Sequence, residues 1–514
     1  MTLSFSALRR PALAALAALP LGLSPLTAQT DVPALQQSLD EWYAGAARSA
    51  PGVWGVAVAD QSGTVLWSVR ADEPLVPAST VKVLTTGFAR SVLGGDARRP
   101  TRVVGDGRVD PATGDWIGSW ALEINGDPTL ERTGRNGPTF FELAQQLRTS
   151  GIRRLYGPLE IRSADGPATA AYPTVWADRH RGRLFAPLVG PLTVNENVIH
   201  VTVRPGAKSG RVARLVGTAP DGLGSIVKVT AKTRAGRRSR LVLQPTKAGG
   251  WLVTGTIGVR AGPQRLVATS RNPKRVIEAV WASALDRAGI TWTRTRSFGP
   301  EGSVEGVLAE ITSPPLDSVA SEVNARSLNI GAELMLQWAG GRSGAAQRLV
   351  EHVQEVTGRK SGIHLVDGSG LSSQDRVAPS VFVSYLARFP ATPAGRNFTQ
   401  LLPANGMGTL KTLNTGFPGA GVVRAKTGTL NNVATVVGYL GRPDGVLLLS
   451  LMYNGPQTWS ARQEQWKLFR RLGADGVVID ADTFSPEPQF GSDAEAPPDG
   501  SGSIDWWPLP DGGS

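Results

Sequence analysis

The 514-residue chain carries 54 Lys and Arg against 42 Asp and Glu, a formal net charge of +12 with a pI near 10.2. It has no cysteine and four histidines, His180, His200, His352 and His364, none in an H-E-x-x-H arrangement. Thiol catalysis, cysteine-ligated zinc and a disulfide framework are thereby excluded, and a Ser-His-Asp triad finds no G-x-S-x-G elbow to receive it.

The length predicts about three domains. Arg9-Arg10, the apolar stretch Ala12 to Leu23 and the small-residue site Thr27-Ala28-Gln29 predict a secretory signal peptide over residues 1–28. The apolar stretch falls short of the roughly 20 residues a span needs, although an uncleaved anchor is the alternative. No later stretch is long enough to span. The mature protein is expected to be extracytoplasmic, periplasmic or secreted, with no stable membrane span.

A helix is predicted over Pro33 to Ala47, then strands over Val53–Ala59 and Thr64–Val69 around the turn Asp60-Gln61-Ser62-Gly63. From about Arg99 to Leu308 the sequence becomes strand-rich and glycine-punctuated. Helices are predicted there near Phe140–Leu147 and Pro273–Ala288, with strands such as Asn197–Val203, Ile226–Lys232, Arg240–Leu243 and Trp251–Val259. Helical pattern resumes at Leu316–Val323, Ile330–Ala339 and Pro379–Arg388. Strands follow at Val422–Lys426, Val433–Leu440 and Val446–Met452, the last two joined by Asp444-Gly445, and a helix at Ala461–Leu472 closes the pattern. Residues 29–99 and 309–482 therefore read as one discontinuous domain holding a β-rich block, 100–308. The tail, 483–514, is rich in Pro, Gly, Ser and Asp and is expected to be disordered, with Trp506-Trp507 as either a docking element or a solvated pair.

The densest basic run, Lys228 to Arg240, contains Lys232, Arg234, Arg237, Arg238 and Arg240. In a secreted protein it suits anionic envelope polymers better than nucleic acid. The plain alternative is a solvated hairpin loop.

Three short motifs occur in a fixed order: Ser79-Thr80-Val81-Lys82, Ser327-Leu328-Asn329 and Lys426-Thr427-Gly428. Each alone is weak. Ser225-Ile226-Val227-Lys228 repeats the first pattern and Ser270-Arg271-Asn272 the second. A helix beginning near Ser79 places Ser79 and Lys82 one turn apart on one face, with free N–H groups at the serine. In the second copy an alternating strand would send Ser225 and Lys228 to opposite faces. Ser270-Arg271-Asn272 precedes Pro273 and reads as an N-cap. A serine nucleophile needs a base, and a lysine serves only when its amine is neutral, through burial or a nearby cation. Lys426 is expected to be that nearby cation. Glycine at 428 is expected to let a substrate approach the strand closely.

At these residues the chain resembles the D-alanyl-D-alanine carboxypeptidase/endopeptidase family of low-molecular-mass penicillin-binding proteins, the type with a large insertion. Gly126-Asp127-Pro128-Thr129, Asp367-Gly368-Ser369-Gly370-Leu371-Ser372 and Arg424 to Leu430 also look like stretches of that family, as does the gap of roughly 250 residues between Lys82 and Ser327. Leu328 departs from the Asp or Asn frequent at the middle of the second motif, and Met407 stands where Asp often precedes Gly-Thr-Leu. The resemblance implies an α+β fold of the penicillin-binding/β-lactamase-like type: an antiparallel sheet flanked by helices, a helical subdomain and the β-rich insertion. It implies that Ser79 attacks the carbonyl between two D-alanines, with Lys82 as base. Ser327 would pass a proton to the leaving D-alanine and Asn329 would hold the substrate amide. Lys426, Thr427 and Thr429 would receive the terminal carboxylate, beside Gly428, with the N–H groups of Ser79 and Thr429 as oxyanion hole. Peptidoglycan stem peptides and β-lactam antibiotics follow as partners; no metal or cofactor is expected. The rivals are a β-lactamase or esterase of the same fold, and a non-catalytic cell-wall-binding protein using the basic block.

Overall fold

The computed structural model describes residues 31–132, 137–295, 306–481 and 483–484. The segment read as a signal peptide and the Trp506-Trp507 pair lie outside the described residues.

The architecture is α+β. A five-stranded antiparallel sheet runs in the order Val423–Leu430, Val433–Arg442, Gly445–Asn454, Val53–Ala59, Val65–Val69. Its inner strands are buried on both sides, which is why they read as continuous apolar runs. Alternation divides each strand between two cores. Val56, Val58, Val436 and Leu449 face a core made with Leu35, Leu39 and Trp42 of helix Val32–Ser49 and Leu468 and Phe469 of helix Thr458–Leu472. Ala57, Ala59, Val437 and Leu448 face the other core, built from helices Val81–Leu93, Leu316–Arg326, Asn329–Gly340, Ala345–Thr357 and Pro379–Arg388. Helix Ala345–Thr357 was not singled out in the sequence. Its apolar stripe Ala345, Leu349, Val350 and Val353 is plain once the flanking glycines 344 and 358 are recognised as its ends.

The β-rich block starts and finishes on adjacent strands. Gly306–Thr312 pairs antiparallel with Pro100–Val109, which pairs with Trp116–Glu123. A separate core lies behind them, where Trp281 of helix Pro273–Arg287 meets Phe140 edge-on at 5.8 Å. Two further sheets complete the block. One orders Gln264–Thr269, Val198–Arg204, Arg214–Ala219; the other centres on Trp251–Gly258, flanked by Arg240–Pro245 and by Val227–Val229 with Lys232–Arg234.

The second motif copies resolve locally. Asn272 caps helix Pro273–Arg287, its side chain accepting the Arg275 N–H at 3.1 Å. Ser225 does not lie in a strand as expected: Leu223–Ile226 forms a 3-10 turn after Gly222 (φ 92°), and the strand starts only at Val227. Lys228 is exposed, so nothing desolvates its amine. Thr483 and Phe484, read as the start of the tail, have contacts: Thr483 accepts from the Gln61 amide at 2.7 Å, and the Phe484 ring packs 5.2 Å from Tyr439. Among the described residues no helix is long and apolar enough to cross a membrane.

Candidate active site

Ser79 sits in the 3-10 turn Ala78–Thr80 that leads directly into helix Val81–Leu93. The turn is held from both sides: Thr80 Oγ1 and Thr435 Oγ1 each donate to the Pro77 carbonyl at 2.7 Å. Ala78, with φ 49°, occupies the left-handed region that costs a non-glycine residue energy. Ser79 itself remains partly exposed. A Cβ on Gly428 would stand 2.3 Å from Thr435 Oγ1, 2.7 Å from Pro77 O and 2.9 Å from Ser79 N. The glycine allows a close approach of this strand to the serine turn.

Lys82 is fully buried, one turn on from Ser79. Its Nζ lies 2.7 Å from Asn329 Oδ1, 2.6 Å from Ser369 O and 3.1 Å from Ser79 Oγ. The first two partners can only accept. A neutral amine has two N–H bonds, and these two acceptors take both, leaving the lone pair towards the serine hydroxyl. Burial lowers the Lys82 pKa to about 7, against the opposing pull of Asp367, Glu333 and Asp375. Asn329 is occupied at both ends, since its Nδ2 donates to Phe185 O at 2.9 Å. In this arrangement its amide orients Lys82.

Ser327 ends helix Leu316–Arg326 in the left-handed conformation (φ 57°), and its Oγ lies 3.1 Å from Lys426 Nζ. Lys426 is also fully buried, with a second bond to Thr427 O at 2.6 Å. Burial, then repulsion from Lys82 and Arg462, holds its amine well below the ordinary lysine value. Burial is the largest cause of the Lys82 shift, and the repulsion between the two lysines acts on both. Strand alternation turns Thr427 and Thr429 to the side opposite Lys426 and Gly428. Thr427 is buried and Thr429 exposed.

The chain matches the model of the D-Ala-D-Ala carboxypeptidase 3 (S13) family over residues 35–472. It belongs to that family. As an S13 protein it is a carboxypeptidase, a hydrolase. It is 27% identical over 427 residues to the D-alanyl-D-alanine carboxypeptidase of Actinomadura sp. (strain R39), covering 78% of each chain. It is 27% identical over 408 residues to the carboxypeptidase DacB of Mycolicibacterium smegmatis, covering 76% of this chain and 74% of the relative. Among solved structures, penicillin-binding protein 4 (dacB) of Haemophilus influenzae superposes with a TM-score of 0.67 at 18% identity, covering 83% of this chain and 99% of that one. That likeness carries the fold.

Several residues of this S13 site were not singled out by sequence reasoning. Asp367 accepts from the N–H groups of Ser369, Gly370 and Ser372 and from Trp176 Nε1 at 2.6–3.1 Å. It thereby shapes the loop that offers Ser369 O to Lys82. Burial first, with Asp367 beside both, pushes Asp375 up to about 10 and Glu333 up to about 8. Asp367 and Ser369 belong to a stretch noted in the sequence only as a family resemblance; its chemistry was hidden because the loop acts through backbone groups. Arg462 of helix Thr458–Leu472 reaches behind the third motif, donating to Gly428 O at 2.7 Å and Thr429 Oγ1 at 3.2 Å. Burial lowers it to about 10. Arg326, next to Ser327, makes a forked pair with Glu196 at 2.5 and 3.0 Å. Glu196 stands in a run of three left-handed residues, Asn195 (φ 47°), Glu196 (φ 58°) and Asn197 (φ 54°). The two asparagines are of a type that tolerates this region, but Glu196 is not, and no glycine marks the run.

Proposed function

We propose that this carboxypeptidase works by a serine acyl-enzyme mechanism on D-Ala-D-Ala-terminated peptidoglycan stem peptides, outside the cytoplasm, and that penicillin acylates it. The observation that carries the reading is the buried Lys82 amine, with Nζ 2.7 Å from Asn329 Oδ1, 2.6 Å from Ser369 O and 3.1 Å from Ser79 Oγ, so that in the neutral form two acceptors hold its N–H bonds and the lone pair is free for the serine proton. Ser79 Oγ attacks the carbonyl carbon between the two D-alanines as its proton passes to Lys82 Nζ. The backbone N–H groups of Ser79 and Thr429 receive the oxyanion. Ser327 then gives its proton to the departing D-alanine nitrogen as the C–N bond breaks, and the neighbouring Lys426 can resupply it. Once Lys82 has given up its proton, water attacks the Ser79 ester carbonyl as Lys82 takes the water's proton, and that proton passes to Ser79 Oγ as the C–O bond breaks and the shortened peptide leaves. Thr427 and Thr429 offer their hydroxyls to the terminal carboxylate, and Lys426, on the other side of the strand, contributes through its charge; the anion there returns Lys426 to its protonated form. Residues 29–99 and 309–482 are the peptidase domain in this reading and 100–308 an insertion. The penicillin-binding protein 4 of Haemophilus influenzae, which shares the fold, has been solved with a β-lactam bound.

The test is incubation of the purified protein with a fluorescent penicillin and, separately, with a D-Ala-D-Ala peptide. A lasting adduct, absent in Ser79→Ala, together with release of free D-alanine is the expected result. Rapid turnover of the penicillin with no D-alanine release would favour a β-lactamase, and failure to label would remove the serine mechanism.

A further inference from the structure

The net positive charge of the chain traces to one stretch of sequence. Between Arg204 and Arg265 the sequence has thirteen Lys and Arg and a single carboxylate, Asp221, a net of +12 that equals the net charge of the whole chain. The rest of the sequence is neutral overall. All thirteen cations are exposed. Among the described residues none of them forms an ion pair, and Asp221 pairs with Arg287 outside the stretch. Strand register shows how they are arrayed. Thr256 of the central strand has Lys232 as its partner on one side and Arg240 on the other. Arg234 lies two residues on from Lys232 and shares its face. Arg237 and Arg238 occupy the turn between those strands, and Arg260, whose N–H binds Gly236 O at 3.0 Å, closes over the same turn. Trp251, Val253 and Ile257 point the other way, into the core.

Neighbouring strands lie about 4.8 Å apart and alternate residues about 6.8 Å apart, so Lys232 and Arg234 start about 7 Å apart and Lys232 and Arg240, across the central strand, about 10 Å apart, a grid of positive charge on one face. Like charges so placed repel and weaken the sheet; a polyanion laid across them turns that cost into binding. Bases have nothing to stack on, since the one aromatic residue in the stretch, Trp251, is 2% exposed. No α-helix lies in the stretch to enter a duplex groove. Its exposed large apolar residues are Val212, Val216 and Val242, with no exposed aromatic residue or leucine to insert into a bilayer. We propose that the outward face of this β-rich block docks a linear phosphodiester polymer of the cell wall, holding the enzyme on the wall whose stem peptides it trims. The choice of a wall polymer rests on the peptidoglycan reading above; the cationic grid does not.

The probe is poly(glycerol phosphate) with the full-length protein. Wild type is expected to bind at 50 mM salt and to lose affinity by about several hundredfold at 200 mM, as six engaged cations on a flexible phosphodiester chain require. The variant K232Q/R234Q/R237Q/R238Q/R240Q should bind at least about tenfold more weakly, whereas R48Q/K360Q/R396Q, exposed cations elsewhere, should bind as wild type. Both should release D-alanine from a soluble peptide at the wild-type rate, which shows an intact site. If the fivefold variant melts early, R237Q/R238Q in the turn alone should still lose about threefold. Equal binding by the cationic-face variants and wild type, no binding at 50 mM, or tighter binding to duplex DNA or phosphatidylglycerol vesicles overturns the proposal. A wild type that binds the polymer but releases no D-alanine would instead sink the peptidase reading alone.

Discussion

Lys82 and Lys426 make two lysine–serine pairs of nearly equal geometry in opposite electrostatic surroundings. Each lysine is fully buried and each Nζ lies 3.1 Å from the hydroxyl of a motif serine. Around Lys82 stand three carboxyl groups, Asp367, Glu333 and Asp375, and burial against their pull leaves its pKa at about 7. Around Lys426 stand the cations Lys82 and Arg462, and burial together with their repulsion holds its amine well below the ordinary lysine value. Proximity to a serine therefore does not by itself make a base. What distinguishes Lys82 is the pair of carbonyl acceptors that fixes its lone pair and a proton affinity close to neutral pH. Lys426 is suited to gaining a proton when an anion arrives.

The comparison breaks most sharply at Lys82. Lys82→Arg keeps a cation that cannot accept a proton, and penicillin acylation should fall at least about a hundredfold; a rate within a few-fold of wild type would end the lysine-base account. Gly428→Ala comes next. Its Cβ would force strand Val423–Leu430 away from the Ser79 turn, and an overpacking strain of about 1–3 kcal/mol should appear as slower acylation by about ten- to a hundredfold. Wild-type kinetics there would show that the close approach is slack. Lys426→Arg retains a carboxylate-binding cation of different shape, so acylation should weaken by about tenfold and persist. Equal losses at Lys82→Arg and Lys426→Arg would erase the distinction between the two pairs.

Smaller effects test the carboxyl groups behind Lys82. Asp375 has a folded pKa raised to about 10 from an ordinary 3.8. Its contribution to stability is complete below 3.8 and is lost as pH rises through about 10. Asp375→Asn has no proton to lose, so its melting temperature should fall less than that of wild type between pH 5 and 9. The gap should be about 2–4 °C for each kcal/mol removed; parallel melting curves across that range would contradict the assignment. Glu333 is itself pushed up to about 8 and is largely protonated where Lys82 titrates, so Glu333→Gln should move the rising limb of the acylation profile only slightly, and to lower pH. Movement to higher pH would mean that Glu333 acts on Lys82 in another way.

Much of the frame was legible because it rests on local pattern. The strands Val433–Arg442 and Gly445–Asn454 and their Asp444-Gly445 turn, the helices at both ends of the domain, and the Asn272 cap follow from apolar runs and capping residues. The three motifs were visible as spacing, and the structure brings Ser79, Lys82 and Asn329 into one hydrogen-bonded group and Ser327 against Lys426. The electrostatics were not legible. Glu333, Asp367 and Asp375 lie some 250 to 290 residues from Lys82 in sequence, and only folding shows that they surround it. A sequence does not show that Lys426 is itself fully buried. Ser369 acts through its carbonyl, which every residue possesses. The positive φ at Ala78 and at Asn195 to Asn197 is imposed by the packed surroundings and leaves no composition signal.

The central claim is that Lys82 is the neutral base of Ser79, and its most direct test is the pH dependence of penicillin acylation. The second-order rate measured from pH 5 to 10 should rise through a single ionisation near 7 and then level off. The same limb should remain in Lys426→Arg, whose guanidinium does not titrate in that range. A rate unchanged between pH 5 and 9, or one that rises only towards the ordinary lysine value near 10.5, would contradict the account.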